Sequence, residues 1–339
     1  MRGAILYGPR DVRVEERPDP AIVEPSDAVI RLAATSVCGS DLWPYRGIET
    51  FPGPMPMGHE YVGIVEEVGP AVKTVRPGQF VVGSFWASDN TCENCRAGLQ
   101  SGCVNRQYVG MSGTQAEFAR IPLADGTLVA TPEVPSDDLI PSLLAASDVF
   151  GTAWFGAVAA AAGPGKTVAV VGDGAVGLLG VMAARQLGAE RIIAMSRHES
   201  RQRLAREFGA TDIVETRGDE GVATVKELTG GRGADSVIEA VGTTESMAQA
   251  LGVTHPGGHV GFVGVTHGDV PGMPLFFSLA HVFGGPAPVR QFLPELIGLI
   301  MAREVDPGRV FDLTLPLDEA AEGYRAMDER RAIKTLLQP

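Results

Sequence analysis

The sequence predicts an α/β chain of two domains, one β-rich and one a doubly wound parallel sheet, on three observations. Its 339 residues suffice for two separate hydrophobic cores. The opening residues alternate short β-like runs with Pro- and Asp-bearing turns. From about Phe150 the pattern changes to strands alternating with helices.

In the first part, residues 2–7, 11–16 and 28–34 are strand candidates, punctuated by Gly-Pro, Pro-Asp-Pro and Glu-Pro-Ser. Residues 61–68 and 79–82 continue the style. In the second part the strands are 167–171, 191–195, 212–214, 236–239 and 259–264. Helices at 176–187, 200–208, 222–228 and 246–251 separate them. A helix at 289–302, a strand near 309–316, a helix at 318–327 and a strand at 332–337 end the chain.

The stretch 166–197 organises the rest. Thr167–Val171 is a nearly continuous apolar run, as in a strand buried on both faces. Gly172, Gly174 and Gly177 follow in a G-x-G-x-x-G pattern, with Ala175 and Val176 between them. Gly172 suits the tight turn, Gly174 the close approach of a pyrophosphate, and Gly177 the packing of helix on strand. Free N–H groups and the positive dipole at the helix start would receive a diphosphate. A dinucleotide site is therefore expected. Its second strand ends in Ser196-Arg197-His198, where NAD-type sites usually place an acid. A hydroxyl and a guanidinium suit a 2′-phosphate, which favours NADP(H) over NAD(H).

A composition of 45% hydrophobic and 20% charged residues is that of a soluble globular protein. The net charge of −13 argues against nucleic acid or an anionic membrane as the main partner. No N-terminal run has the basic-then-apolar form of a signal peptide, so the cytoplasm is the expected location.

Cys38 stands alone in SVCGSD, and His59 and Glu60 follow in Gly-His-Glu. Asp148 lies in an otherwise apolar segment, where a buried carboxylate needs a partner. Thiolate, imidazole and carboxylate form a workable Zn²⁺ set with one open position. A denser cluster is Asp89-x2-Cys92-x2-Cys95-x7-Cys103. Three cysteines so close in an intracellular chain read as metal ligation, with Asp89, Glu93 or another oxygen donor as fourth ligand.

Together these features resemble the zinc-containing medium-chain alcohol dehydrogenases. The match rests on CGSD at 38–41, GHE at 58–60, the 89–103 lobe, Asp148, GDGAVG at 172–177 and VRPGQ at 75–79. The resemblance implies a GroES-like catalytic domain, 1–149 completed by 287–339, and a Rossmann domain at 150–286. It implies that Cys38, His59 and Asp148 hold a catalytic zinc, and that the lobe holds a structural one. Glu60 would ligate zinc in turn with water or stand behind the ligands. Ser40 would bond the substrate oxygen, Thr152 would touch the nicotinamide, and Lys334 would reach the pyrophosphate. The 281–288 run would pair in a homodimer or homotetramer.

Two departures from the family pattern matter. The lobe opens with Asp89 rather than Cys, and Trp43 stands where many members have a proton-relaying histidine. The expected reaction interconverts an alcohol and an aldehyde or ketone by hydride transfer, with Lewis-acid help. NAD-linked polyol, threonine-type or formaldehyde dehydrogenase-like enzymes are the alternatives, along with a non-catalytic NADPH-binding sensor.

Overall fold

The computed structural model describes residues 1–51 and 53–339. The chain divides into two compact units, Met1–Asp148 with Pro288–Pro339, and Val149–Ala287.

The second unit is built on six parallel strands. In chain order they are Thr167–Val171, Arg191–Met195, Asp212–Val214, Ala234–Glu239, Thr254–Phe262 and His281–Gly284. In space the third, second and first precede the fourth, fifth and sixth. This is a doubly wound sheet, with a topological switch between Thr167–Val171 and Ala234–Glu239. Val168, Ala169 and Val170 are fully buried because helices cover both faces. Val237 packs with Met247, Ala250 and Leu251, whereas Ile238 lies against Gly156 and Gly180. Burial of Val237, Ile238, Met247 or Leu251 stabilises the unit by about 1.5–3 kcal/mol each.

Some elements of this unit differ from the sequence expectation. Helix Gly272–Ser278 has no buried residue, and edge strand His281–Gly284 is half exposed. Neither therefore carries the apolar period that marks an element in sequence. The strand expected at 259–264 begins earlier, at Thr254.

The first unit is mostly antiparallel. Strand Ala28–Val37 is its centre, pairing with Tyr61–Val68, Phe118–Ile121 and Thr335–Gln338. Ile30, Leu32, Tyr61, Val65 and Val81 share a core on one side. Tyr61 is fully buried, and its hydroxyl donates to Ser84 O at 3.1 Å. The register Thr335↔Val37 brings the C-terminal strand beside the end of Ala28–Val37. Among the described residues no single helix is long and apolar enough to cross a membrane.

Candidate active site and metal sites

Three chain segments converge in the first unit. Cys38 directly follows strand Ala28–Val37, and His59 and Glu60 directly precede Tyr61–Val68. Those strands pair with Thr35 opposite Tyr61, which sets the two segments side by side. Asp148 comes between helices Ile140–Ala146 and Val149–Ala159. The candidate ligand atoms of Cys38, His59, Glu60 and Asp148 all lie within 4.8 Å of one another. Asp148 Oδ2 is 3.1 Å from His59 Nε2 and 3.6 Å from Cys38 Sγ. All four residues are buried.

Burial, then Glu60 and Asp148, pushes the Cys38 thiol up to about 11. Burial disfavours the His59 imidazolium, but Tyr108, Asp41, Cys38 and Asp148 hold its pKa well above the ordinary value. A buried thiol, imidazole and carboxylate at this spacing fit a divalent cation, which would stabilise the deprotonated ligands.

Several groups that orient these ligands have no separate motif. Asp41 Oδ2 accepts the Cys38 N–H at 3.0 Å and the Gln115 side-chain amide at 3.2 Å. Its Oδ1 is 3.4 Å from His59 Nδ1. Tyr108 Oη lies 2.9 Å from the same nitrogen. For Nε2 to offer its lone pair to a cation, Nδ1 must carry the proton and donate it to Tyr108. Gln115 in turn accepts from the buried Tyr324 hydroxyl at 2.9 Å. Asp41 had a signal, since it closes the CGSD motif. Tyr108 had none; pairing of Trp86–Ala87 with Gln107–Tyr108 brings it in.

Lys334, expected at a pyrophosphate, is placed by the structure beside Glu60 in the first unit. Its ammonium is buried, 2.7 Å from Glu60 Oε2 and 3.1 Å from Val37 O. The cause is strand register, because its neighbour Thr335 pairs with Val37. Burial would lower the Lys334 pKa, but Glu60 raises it further. Glu60 also accepts from Ser36, so both its oxygens are engaged. Ser40 sits half-buried on the turn after Cys38, and Trp43 lies in the short helix Leu42–Tyr45.

The second cluster forms as well. Ligand atoms of Asp89, Cys92, Cys95 and Cys103 lie within 4.8 Å of one another, and Glu93 is not in the group. Cys92 and Cys95 sulfurs are 3.5 Å apart. Asp89 Oδ1 accepts the N–H groups of Thr91 and Cys92 at 2.8 and 2.9 Å, and Oδ2 accepts from Asn105 at 2.8 Å. Against the burial that would raise it, these bonds hold the Asp89 carboxyl well below the usual range. Burial and the Cys92 sulfur push the Cys95 thiol up to about 12. Three thiols and an ionised carboxylate are a closed four-ligand set, as a structural metal requires.

At the switch point of the second unit, Gly172 has φ of 120°, which other residues rarely adopt. A Cβ on Gly177 would sit 2.1 Å from Gly172 O. At Gly174, the N-cap of helix Ala175–Gln186, an added Cβ would meet nothing within 4 Å. Ala175 and Val176 open that helix, and the room beside Gly174 fits a diphosphate at its N-terminus. Ser196 is buried and its hydroxyl donates to Asp173 Oδ2 at 2.8 Å. Arg197 is exposed, and His198 is the half-buried N-cap of helix Glu199–Phe208. Thr152 is buried in helix Val149–Ala159.

A doubly wound sheet with a glycine turn, joined in one chain to a β domain with a buried Cys–His–carboxylate cluster, defines a nicotinamide-linked zinc oxidoreductase. Residues 24–133 match the alcohol dehydrogenase GroES-like domain, and residues 175–292 the zinc-binding dehydrogenase domain. A zinc-type alcohol dehydrogenase B of Aspergillus flavus is 35% identical over 350 residues, covering 100% of this chain and 81% of the relative. A solved NAD-dependent alcohol dehydrogenase is 29% identical, with TM-score 0.85 and 100% of both chains covered. A solved protein of Sinorhizobium meliloti 1021, described as a zinc-binding dehydrogenase bound to NADP, is 25% identical. Its TM-score is 0.82, covering 100% of this chain and 99% of that one. The chain belongs to the zinc-containing medium-chain alcohol dehydrogenase family. It is a zinc-dependent, NAD(P)-linked alcohol oxidoreductase acting on small molecules.

Proposed function

We propose that this enzyme interconverts an alcohol and an aldehyde or ketone with NADP(H), using a catalytic zinc held by Cys38, His59 and Asp148. The observation that carries the reading is the convergence of those three buried side chains from three separate segments. A zinc held there would supply Lewis acidity toward the substrate oxygen, and a bound nicotinamide would supply the hydride chemistry. The chain's own residues do the rest. Ser40 accepts a hydrogen bond from the substrate hydroxyl. Asp41 and Tyr108 orient His59, and Lys334 with Ser36 holds Glu60. Trp43 cannot titrate, so a group other than residue 43 would carry the proton onward from Ser40.

Asp89, Cys92, Cys95 and Cys103 hold a second, structural zinc. The turn at Gly172, Gly174, Ala175, Val176 and Gly177 receives the diphosphate, and Thr152 faces the nicotinamide. Ser196, Arg197 and His198 meet the adenosine ribose, where a hydroxyl and a guanidinium favour a 2′-phosphate. The fold accommodates both coenzymes in solved relatives, so these residues decide. A homodimer or homotetramer is supported by exposed Met273, Phe276, Phe277, Leu279 and Phe283, grouped around the sheet edge. The protein would work in the cytoplasm.

The test is a screen of alcohols and carbonyls with both coenzymes. Turnover should show a lower KM for NADPH than for NADH, and Cys38→Ala should abolish turnover while NADPH binding persists. Near-normal turnover by folded Cys38→Ala protein would overturn the zinc reading. A clear NADH preference would overturn the NADP reading.

A further inference from the structure

The glycine turn carries a carboxylate that the cofactor reading leaves unused. Asp173, between Gly172 and Gly174, is only 8% exposed. Its Oδ2 accepts the Ser196 hydroxyl at 2.8 Å. Arg201 reaches back from helix Glu199–Phe208, with Nη1 3.1 Å from Asp173 O and 3.5 Å from its Oδ1. Sites of the NAD type place an acidic residue at the end of the second strand, where it accepts the ribose 2′-hydroxyl. Here Ser196 occupies that strand end, and Asp173 delivers a carboxylate to the same spot from the neighbouring turn.

We propose that Asp173 is a specificity-determining residue. It accepts a ribose hydroxyl of NAD(H) in place of the missing strand-end acid, and it opposes the 2′-phosphate of NADP(H). The proposal rests on the reading that Ser196 and Arg197 face the adenosine ribose. An ionised carboxylate only accepts hydrogen bonds, so it suits a hydroxyl and has nothing to donate to a phosphate oxygen. It also sets a negative charge beside the incoming one, in a largely buried position where solvent screens little. The single Ser196 proton is already committed to Asp173, so a phosphate must compete for it. Arg201 offsets part of this charge, which lets the phosphate bind without letting it dominate. The NADP preference set by Ser196 and Arg197 is therefore held in check from within the turn itself.

Asp173→Asn keeps the shape of the side chain, removes the charge and supplies a donor. The ratio of kcat/KM for NADP to that for NAD should rise roughly tenfold, more through coenzyme KM than through kcat. Binding of 2′,5′-ADP should tighten and binding of 5′-ADP should weaken. Asp173→Ala should move the ratio in the same direction, and Asp173→Glu, which keeps the charge, should not. An unchanged or lower ratio in folded Asp173→Asn or Asp173→Ala protein would overturn the proposal. Failure of the underlying reading looks different. In that case Arg197→Ala would leave 2′,5′-ADP binding by the otherwise unaltered protein unchanged, whatever Asp173 does to the ratio.

Discussion

His59 is held from both ring nitrogens, and that arrangement has a measurable consequence. Nδ1 lies 2.9 Å from Tyr108 Oη and 3.4 Å from Asp41, so the ring is oriented to keep its proton on Nδ1 when a cation takes Nε2. Tyr108→Phe removes that hydrogen bond and leaves the ring volume. Affinity of the Cys38–His59–Asp148 set for cobalt(II), followed by its visible spectrum, should fall about tenfold. Unchanged affinity in a folded variant would contradict the role. Lys334 belongs to the same scale. Its ammonium is the buried counter-charge of Glu60, so Lys334→Met should destabilise the protein by about 3–5 kcal/mol. Adding Glu60→Gln should restore much of that loss in denaturant unfolding, and equal loss in single and double variants would argue against the pair. Cys38, His59 and the lobe cysteines were legible because each sits in a short chemical motif, and Asp148 because it is a lone carboxylate in an apolar segment. Tyr108, Gln115 and Tyr324 were not, because only long-range pairing brings them to the site. The pairing of Lys334 with Glu60 was not legible for the same reason.

At the scale of elements, strands Thr167–Val171 and Arg191–Met195 have the bounds their apolar runs predict, since burial on both faces leaves no room for polar residues. Edge strand His281–Gly284 was illegible because one side meets solvent. It does carry a distinctive pair: His259 and His281 stand in register on adjacent strands, with rings stacked at 4.5 Å. Burial, then His281, Lys166 and His255, lowers the His259 pKa. The unfolded chain therefore takes up the proton more readily than the folded one. The stabilisation is complete above the unfolded value of about 6.5 and is lost as pH falls toward the folded one. Melting temperature should drop between about pH 7 and about pH 5, and His281→Phe should make that slope shallower. Identical slopes would show that the stacked pair contributes nothing to the acid response.

For the molecule as a whole, the chain assembles two chemistries in two units. The second unit offers a glycine turn at a sheet switch point, and the first a buried ligand cluster at the end of its central strand. The βα alternation together with the G-x-G-x-x-G pattern made the first of these legible. The first unit depends on a C-terminal strand that joins Ala28–Val37 from the far end of the chain, a register no local pattern encodes. The central claim, that the cluster of Cys38, His59 and Asp148 works through zinc, is tested most directly by removing the metal. Alcohol-dependent reduction of NADP should fall to background in chelator-treated protein and return on adding zinc. In Cys38→Ala protein it should stay at background under both conditions. Full turnover by metal-free protein, or by Cys38→Ala, would contradict the account.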